Sequence, residues 1–177
     1  MKILKILFAC VLILGGAFYV MRRIPSVVHV ERTLPAPVSK VWAVWTDPEA
    51  MKNWWSPKDF TAPVITSDFR VGGRYLYSMR SPKGEMFWNT GAYTEIVPLQ
   101  LIKSTISFSD EHGKAVSGKD VPVPGDWPDE ILVVVEFKEI AGRTQITITE
   151  TGIPLIMKLM AKMGWEQQLD KLETLLR

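Results

Sequence analysis

The sequence predicts an α+β domain in which an antiparallel sheet is combined with helices near both ends of the chain. Short segments with alternating apolar residues fill the middle of the chain, and glycine- and proline-rich turns separate them, as is typical of antiparallel strands. Two short helical patterns follow the first strand, and one long helical pattern ends the chain. Because the helices are segregated from the strands, the class is α+β.

The first strand and the two helices after it have clear local signals. Residues 27–33 alternate in polarity and are β-branched, which predicts a strand that ends at a proline-rich turn. Apolar residues then recur at helical spacing over residues 38–46. Asp47 and Pro48 match a helix N-cap followed by proline at the first helical position, so a second short helix should run from there toward Trp54.

The middle of the chain is predicted to be almost entirely strand. Alternation within each segment indicates one buried face, and the segments are residues 60–69, 74–80, 86–97, 101–108, 131–137 and 144–151. Residues 109–129 are polar and rich in glycine and proline, which predicts a long surface loop.

The C-terminal helix, predicted to begin after Pro154, changes the direction of its apolar face. Two apolar groups fall on roughly opposite sides of it: Ile156, Leu159, Met160 and Met163 in the first half, and Trp165, Leu169, Leu172 and Leu176 in the second. The change lies at Gly164. Either the helix breaks there, or its first half presents a second apolar face as a lid over a cavity or as a surface for a membrane or partner.

The charge of the chain is divided unevenly. The formal net charge is +2, from 21 basic and 19 acidic residues, but four of the basic residues lie in residues 1–25, where there is no acid. The remaining residues therefore hold 17 basic and 19 acidic side chains. This mixed, slightly acidic balance excludes nucleic acid as the main partner, because phosphate binding needs clustered, unopposed lysine and arginine.

Residues 1–24 are predicted to be a membrane anchor or signal segment, and residues 25–177 the folded domain. Residues 6–21 form an uncharged apolar stretch of 16 residues between Lys5 and Arg22. A span needs about 20 residues, but a snorkelling lysine can extend a shorter stretch. We expect an uncleaved single-pass anchor with the domain on the outer side of the membrane; small residues within the stretch leave a cleaved signal peptide as the alternative.

The sequence contains no recognisable catalytic or metal motif. Cys10 is the single cysteine, which excludes an intramolecular disulfide and a thiolate metal cluster. The two histidines, His29 and His112, are interpreted as solvated residues of a strand and a turn. Phosphate-cradling loops, dinucleotide fingerprints and G-x-S-x-G are absent from the sequence. No cofactor and no catalytic residue are therefore predicted.

Glu150 is the remaining acid–base candidate. It follows Ile146 and Ile148 on one face of a predicted strand. It either points inward, where burial would raise its pKa, or lies exposed at the strand end. An inward carboxyl group could hold the polar group of a ligand or act as a general base.

Several segments together resemble one known family. They are residues 31–37 with 41–42, 46–49 with 54–55, 68–73, 91 with 95–96 and 98, 151–154, and 164–165. Over about residues 26–177 the chain is similar to the bacterial homologues of the activator of the heat-shock-protein-90 ATPase, within the START-like (SRPBCC, Bet v 1-like) superfamily. The resemblance implies a helix-grip fold, in which a curved antiparallel sheet of about seven strands wraps the long C-terminal helix and leaves an apolar cavity.

Aromatic side chains are suited to such a cavity, because tyrosine and tryptophan supply both apolar surface and polar anchors. The predicted cavity residues are Trp54, Trp55, Phe60, Tyr75, Tyr77, Trp88, Tyr93, Phe108, Trp127 and Trp165, together with Glu150, Met157 and Met160. We expect a non-enzymatic, membrane-tethered domain that binds a hydrophobic small molecule or lipid. A protein-interaction or co-chaperone-like module is the second interpretation, and a cyclase- or hydrolase-type enzyme using Glu150 or Asp68 is the third.

Overall fold

The computed structural model describes residue 16 and residues 19–177, and its strands form one antiparallel sheet. The strands are β1 (Pro25–Leu34), β2 (Ile65–Ser67), β3 (Arg74–Arg80), β4 (Met86–Val97), β5 (Leu101–Phe108), β6 (Ile131–Ile140) and β7 (Arg143–Pro154). The helices are α1 (Val38–Thr46), α2 (Pro48–Met51) and α3 (Lys158–Leu176), and a 3₁₀ turn, Leu155–Met157, leads into α3. The predicted α+β helix-grip fold is confirmed.

The sheet has the order β1-β7-β6-β5-β4-β3-β2, so the first strand pairs with the last. Its curved inner face carries alternate side chains from each strand, including Val28 and Val30 on β1 and Ile146 and Ile148 on β7, all of which are buried. The helix α3 packs along this face, and it contacts β1 most extensively. The core therefore lies between the sheet and α3.

Ion pairs and hydrogen bonds fix α3 on the sheet. The guanidinium group of Arg32 on β1 pairs with the carboxylates of Glu166 and Asp170, and Glu173 lies 3.6 Å away. The ammonium group of Lys171 donates to the hydroxyl of Ser56 and to two backbone carbonyls of the segment after α2. These contacts hold α3 between the first strand and the segment that follows the short helices.

Several predicted boundaries differ from the observed ones. The strand predicted over residues 60–69 is reduced to β2, because Pro63 has no N–H to donate and the segment before it turns at Asp59, whose φ is 66°. The helix after Asp47 ends at Met51 rather than near Trp54. Its N-cap is as predicted, since the Asp47 carboxylate accepts a hydrogen bond from the backbone N–H of Glu49.

The helix α3 does not break at Gly164. It is continuous from Lys158 to Leu176, and its buried face begins at Trp165. Its first half leaves Leu159 and Met160 exposed by 68% and 64% of their surface, while Ala161 packs against the core. Of the two alternatives, the break at Gly164 is wrong, and the first half of the helix presents an exposed apolar face.

The predicted location in a membrane is also wrong. Among the described residues, no helix is long and apolar enough to cross a membrane. The rest of the predicted anchor segment (residues 1–15, 17 and 18) lies outside the described residues. The division of the chain at residues 24 and 25 stays a prediction.

Truncation of Leu169 tests the position of the core. Leu169 on α3 is fully buried, so Leu169→Ala should lower the free energy of unfolding by about 2–5 kcal/mol through lost apolar contact and the cavity left behind. The matched control is Leu159→Ala on the same helix, where exposure predicts a change within about 0.5 kcal/mol. Urea denaturation measures both, and equal losses would contradict the assignment of the buried face.

Candidate functional site

A small internal cavity lies between the inner face of the sheet and the helices. Its volume is about 40 Å³. Aromatic rings supply most of its wall: Trp45, Trp55, Phe69, Tyr75, Tyr77, Tyr93 and Trp165. A space of this size accommodates one or two water molecules, whereas sites for drug-sized ligands have volumes of about 300–1,000 Å³. The interior is therefore nearly filled in this conformation.

The tyrosines of the wall are positioned by strand alternation and by one glycine. Tyr75 and Tyr77 point inward from β3, and their rings stack with centroids 4.3 Å apart. Tyr75 lies across Gly91 of β4 and donates a hydrogen bond of 2.6 Å to the carbonyl of Thr105 on β5. A Cβ atom at Gly91 would lie 2.6 Å from the Tyr75 hydroxyl and 1.8 Å from that carbonyl oxygen. Glycine is therefore required for the ring to cross the strand.

A chain of hydroxyl groups crosses the same wall. The Tyr77 and Tyr93 hydroxyls lie 2.8 Å apart, and the Tyr93 hydroxyl lies 2.8 Å from the hydroxyl of Ser67. Burial raises the pKa of Tyr75, Tyr77 and Tyr93 above the usual value. All three phenols therefore stay neutral in ordinary buffers and act as hydrogen-bond donors and acceptors.

Glu150 points inward from β7 and is buried. It lies opposite Val133, which lines the cavity from β6. Burial raises the pKa of its carboxyl group to about 7, and the hydrogen bond from the indole N–H of Trp165 opposes part of that rise. The donor nitrogen lies 3.2 Å from the Glu150 oxygen Oε2. This carboxyl group therefore changes its charge near neutral pH.

One polar atom of the cavity wall has no hydrogen-bond partner. Trp55 is 8% exposed, and among the described residues nothing accepts a hydrogen bond from its buried indole N–H. Its ring packs edge-on against Tyr77 and Trp165, at centroid distances of 5.0 and 5.4 Å. A buried donor without an acceptor costs about 1–3 kcal/mol, which an incoming acceptor would recover.

The structure divides the predicted site residues among several places. Those that line the internal cavity are Trp55, Tyr75, Tyr77, Tyr93 and Trp165, and Glu150 lies behind Trp165. Trp54 is fully buried beside Trp45 and donates to the carbonyl of Val44, so it supports the wall without lining the cavity. Met157 is buried in the 3₁₀ turn and Met160 is exposed, and neither lines the internal cavity.

The remaining predicted aromatic residues gather at a separate cleft near the start of β4. Trp88 and Phe108 line that cleft. Trp127 packs edge-on against Phe108, at a centroid distance of 5.3 Å. Phe60 packs against Phe87, which also lines the cleft, at 6.3 Å. The residues predicted to line one cavity are therefore divided between the internal cavity and this separate cleft.

Sequence reasoning missed Trp45 and Phe69 as wall residues of the internal cavity. Trp45 lies one helical turn after Val41 on α1, and both are buried, so the helical spacing carried a signal for its direction. Phe69 was included in the strand predicted over residues 60–69, but it follows β2 in an irregular segment, where alternation no longer sets the direction of a side chain. Its ring packs on Trp42 and Tyr93.

The other acidic candidate lies apart from the cavity. Asp68 is exposed and forms an ion pair of 2.8 Å with Arg70 at a surface turn. Among the described residues, no group of three or more His, Cys, Asp and Glu side chains could hold a metal ion. Glu150, by contrast, is hydrogen-bonded to a residue of the cavity wall, Trp165.

This chain is similar in sequence and in fold to known proteins. The sequence profile described as Activator of Hsp90 ATPase homolog 1-like protein matches residues 35–177. A search of curated proteins finds no match. A solved structure from Chromobacterium violaceum is 26% identical, with a TM-score of 0.71, over 85% of this chain and 96% of that one. One from Arthrobacter aurescens is 25% identical, with a TM-score of 0.70, over 85% of both chains. An AHSA1 protein from Silicibacter pomeroyi, at 20% identity over 85% of this chain and 97% of that one, shares the fold with a TM-score of 0.68.

The burial of Glu150 predicts a dependence of stability on pH. Its folded pKa is raised from 4.5 to about 7, so the protonated carboxyl group is favoured in the folded state. The contribution of Glu150 to the free energy of unfolding is therefore most favourable below pH 4.5. That advantage, up to about 3 kcal/mol, is lost as pH rises to about 7.

Urea denaturation between pH 4.5 and 8 measures this effect. Glu150→Gln has no charge to bury, so it should flatten the profile and unfold at higher urea than the native protein at pH 8. The matched control is Glu136→Gln, an exposed residue on the neighbouring strand, which should leave the profile unchanged. A pH profile that is the same with and without the Glu150 carboxyl group would contradict the prediction.

Proposed function

This chain belongs to the family of Activator of Hsp90 ATPase homolog 1-like proteins, and we propose that it is a non-enzymatic binding domain for a small hydrophobic molecule held in the internal cavity. The observation that carries the proposal is the unpartnered indole N–H of Trp55 in an otherwise aromatic wall. A wall built only for stability gains nothing from a buried donor without an acceptor. A ligand carbonyl or hydroxyl oxygen would satisfy this donor.

The chemistry of the wall restricts the ligand. Aromatic rings favour an apolar or aromatic body, and the hydroxyl groups of Tyr77 and Tyr93 offer further hydrogen bonds. The Glu150 carboxyl group behind Trp165 disfavours an anion, because at higher pH it carries a negative charge of its own. We therefore expect an uncharged molecule with one or two polar groups.

Binding requires the cavity to enlarge, since its present volume is about 40 Å³. Phe69 is the wall residue best suited to move, because it lies outside the strands in the irregular segment between β2 and β3. Its ring is only half-buried and packs edge-on against Trp42 and Tyr93. Displacing it would open the cavity without breaking the hydrogen bonds of the sheet.

The indole N–H of Trp55 provides the test. We expect 2-naphthol, an uncharged hydroxylated aromatic probe, to shift the Trp55 and Trp165 indole signals in ¹H–¹⁵N spectra. Trp55→Phe removes the donor and keeps the ring, so it should weaken 2-naphthol binding about fivefold while leaving the fold intact. The control is Trp127→Phe, which lies at the separate cleft and should leave the shifts of the Trp55 and Trp165 signals unchanged. Indole signals of Trp55 and Trp165 that stay unchanged up to saturating probe would reject internal binding.

Protein interaction is a second candidate function, favoured by the exposed apolar side chains of α3. Leu159, Met160 and Met163 are 68%, 64% and 50% exposed. Methionine-rich apolar surfaces are common at adaptable binding sites. The description of the family makes an ATPase of the Hsp90 type the partner to test.

A charge at this surface separates the second function from the first. If the chain acts on such an ATPase, its addition should raise the rate of ATP hydrolysis by a bacterial Hsp90. Met160→Glu should then abolish the increase, because a carboxylate disrupts apolar contact. Thr174→Glu adds the same charge at an exposed position further along α3 and should retain the increase. An unchanged ATPase rate with the native chain would reject the co-chaperone role.

A further inference from the structure

The separate cleft lies at the end of the sheet where β4 begins and β5 ends, and it shares no lining residue with the internal cavity. Its volume is about 350 Å³, which is within the range of small-molecule sites. The aromatic residues of its lining, called its floor below, are Phe87, Trp88 and Phe108. The cleft is thus far larger than the internal cavity.

The floor of the cleft is held in place by aromatic contacts outside it. Phe87 packs against Phe60, and Phe108 packs edge-on against Trp127 at an interplanar angle of 83°. The Trp127 indole N–H donates to the carbonyl of Pro124, at 2.9 Å. The ring that supports Phe108 is therefore tied to the loop that forms the opposite wall.

That wall is the segment around Val121 and Val123. Both valines are half-buried and line the cleft, whereas Pro124, one residue further on, is exposed. The loop is tied to the rest of the chain on its far side, because the backbone N–H of Asp126 donates to the carbonyl of Arg22, at 3.0 Å. The cleft is therefore lined by apolar side chains from two parts of the chain, the strands β4 and β5 and the loop around Val123.

Ser109 supplies a polar group at this cleft. It is 9% exposed, and among the described residues its hydroxyl group has no hydrogen-bond partner. Its backbone is fixed, because its N–H donates to the carbonyl of Trp88, at 3.0 Å. A rotation about the Cα–Cβ bond of Ser109 would turn this unpartnered hydroxyl group toward the cleft, where it can bond to a ligand hydroxyl or carbonyl group.

The charges of the lining decide between ligand classes. Glu85, at the rim, is the charged residue of the lining, and no lysine or arginine lines the cleft within the described part of the chain. A carboxylate ligand such as a fatty acid would meet a negative charge and find no cation to pair with. A neutral ring that stacks on Trp88 or Phe108 meets no such cost.

We propose that this cleft is a second binding site, which takes an uncharged aromatic molecule and hydrogen-bonds its hydroxyl group to Ser109. The ring lies against the aromatic floor, and Val121 and Val123 cover its other side. The site does not depend on binding in the internal cavity, so either one can be occupied without the other.

Three fluorinated probes of similar size test the proposal on the full chain by ¹⁹F NMR titration: 4-fluorophenol, fluorobenzene and 4-fluorobenzoate. We expect 4-fluorophenol to bind most tightly, fluorobenzene about fivefold more weakly because it lacks the hydrogen bond, and 4-fluorobenzoate not measurably. The Trp88 indole signal in ¹H–¹⁵N spectra should shift with the first two probes and reports binding in the cleft, whereas any shift of the Trp55 and Trp165 signals reports binding in the internal cavity.

Ser109→Ala isolates the hydrogen bond. It should weaken 4-fluorophenol about fivefold and leave fluorobenzene unchanged, and it removes an unpartnered hydroxyl group, so the fold should persist. The matched control is Ser104→Ala at the internal cavity, which should change neither affinity. A second variant, Val123→Phe, fills the cleft and should abolish binding of both probes.

Three results would overturn the proposal. One is equal affinity of 4-fluorophenol and 4-fluorobenzoate, which would remove the charge selectivity. Another is an affinity for 4-fluorophenol that Ser109→Ala leaves unchanged. The third is a shift at Trp55 or Trp165 with none at Trp88, which would assign the probe to the internal cavity and leave the cleft empty.

Discussion

Much of this structure depends on how Trp165 packs at the centre of the inner face of the sheet. Its ring stacks parallel to Trp45 at 6.4 Å and meets Trp55 edge-on at 5.4 Å, so three separate segments of the chain converge on it. Its indole N–H donates to the buried carboxyl group of Glu150, which ties α3 to β7. Trp165 also lines the internal cavity, and therefore the contact that orients the helix also shapes the candidate binding site.

The interior combines tight packing with polar groups that packing alone does not need. An aromatic core of this density stabilises a fold. Yet among the described residues the Trp55 N–H has no acceptor, and the buried carboxyl group of Glu150 receives a hydrogen bond from the indole N–H of Trp165 alone. Such groups lower stability unless another molecule satisfies them. Proteins often keep this kind of locally unfavourable feature where binding requires it. Both sites have one buried polar group without a partner among the described residues: Trp55 in the internal cavity and Ser109 in the separate cleft.

The regular parts of the fold could be predicted because their signals are local. The strands β3, β4 and β5 and the helix α1 begin and end where alternation and helical spacing indicate, since a strand with one buried face needs period-two polarity. Prediction failed where distant contacts decide the outcome. The residues before β2 alternate suitably, and Thr61 still bridges to Arg80, but Pro63 interrupts the regular strand between Thr61 and β2. Gly164 lies in a continuous helix because tertiary packing outweighs its low helix propensity.

The sequence by itself determined the α+β class, the order of the elements and the abundance of aromatic residues, because each follows from periodicity or composition. Only the tertiary structure decided which rings share a space. Trp88 and Tyr75 lie on adjacent strands and both were candidates for one cavity, yet they line different ones, since neighbouring strand positions face opposite sides and different ends of the sheet. The tertiary structure likewise decided that Glu150 is buried, because the residues around it belong to β6 and α3, and only folding brings these elements together around it.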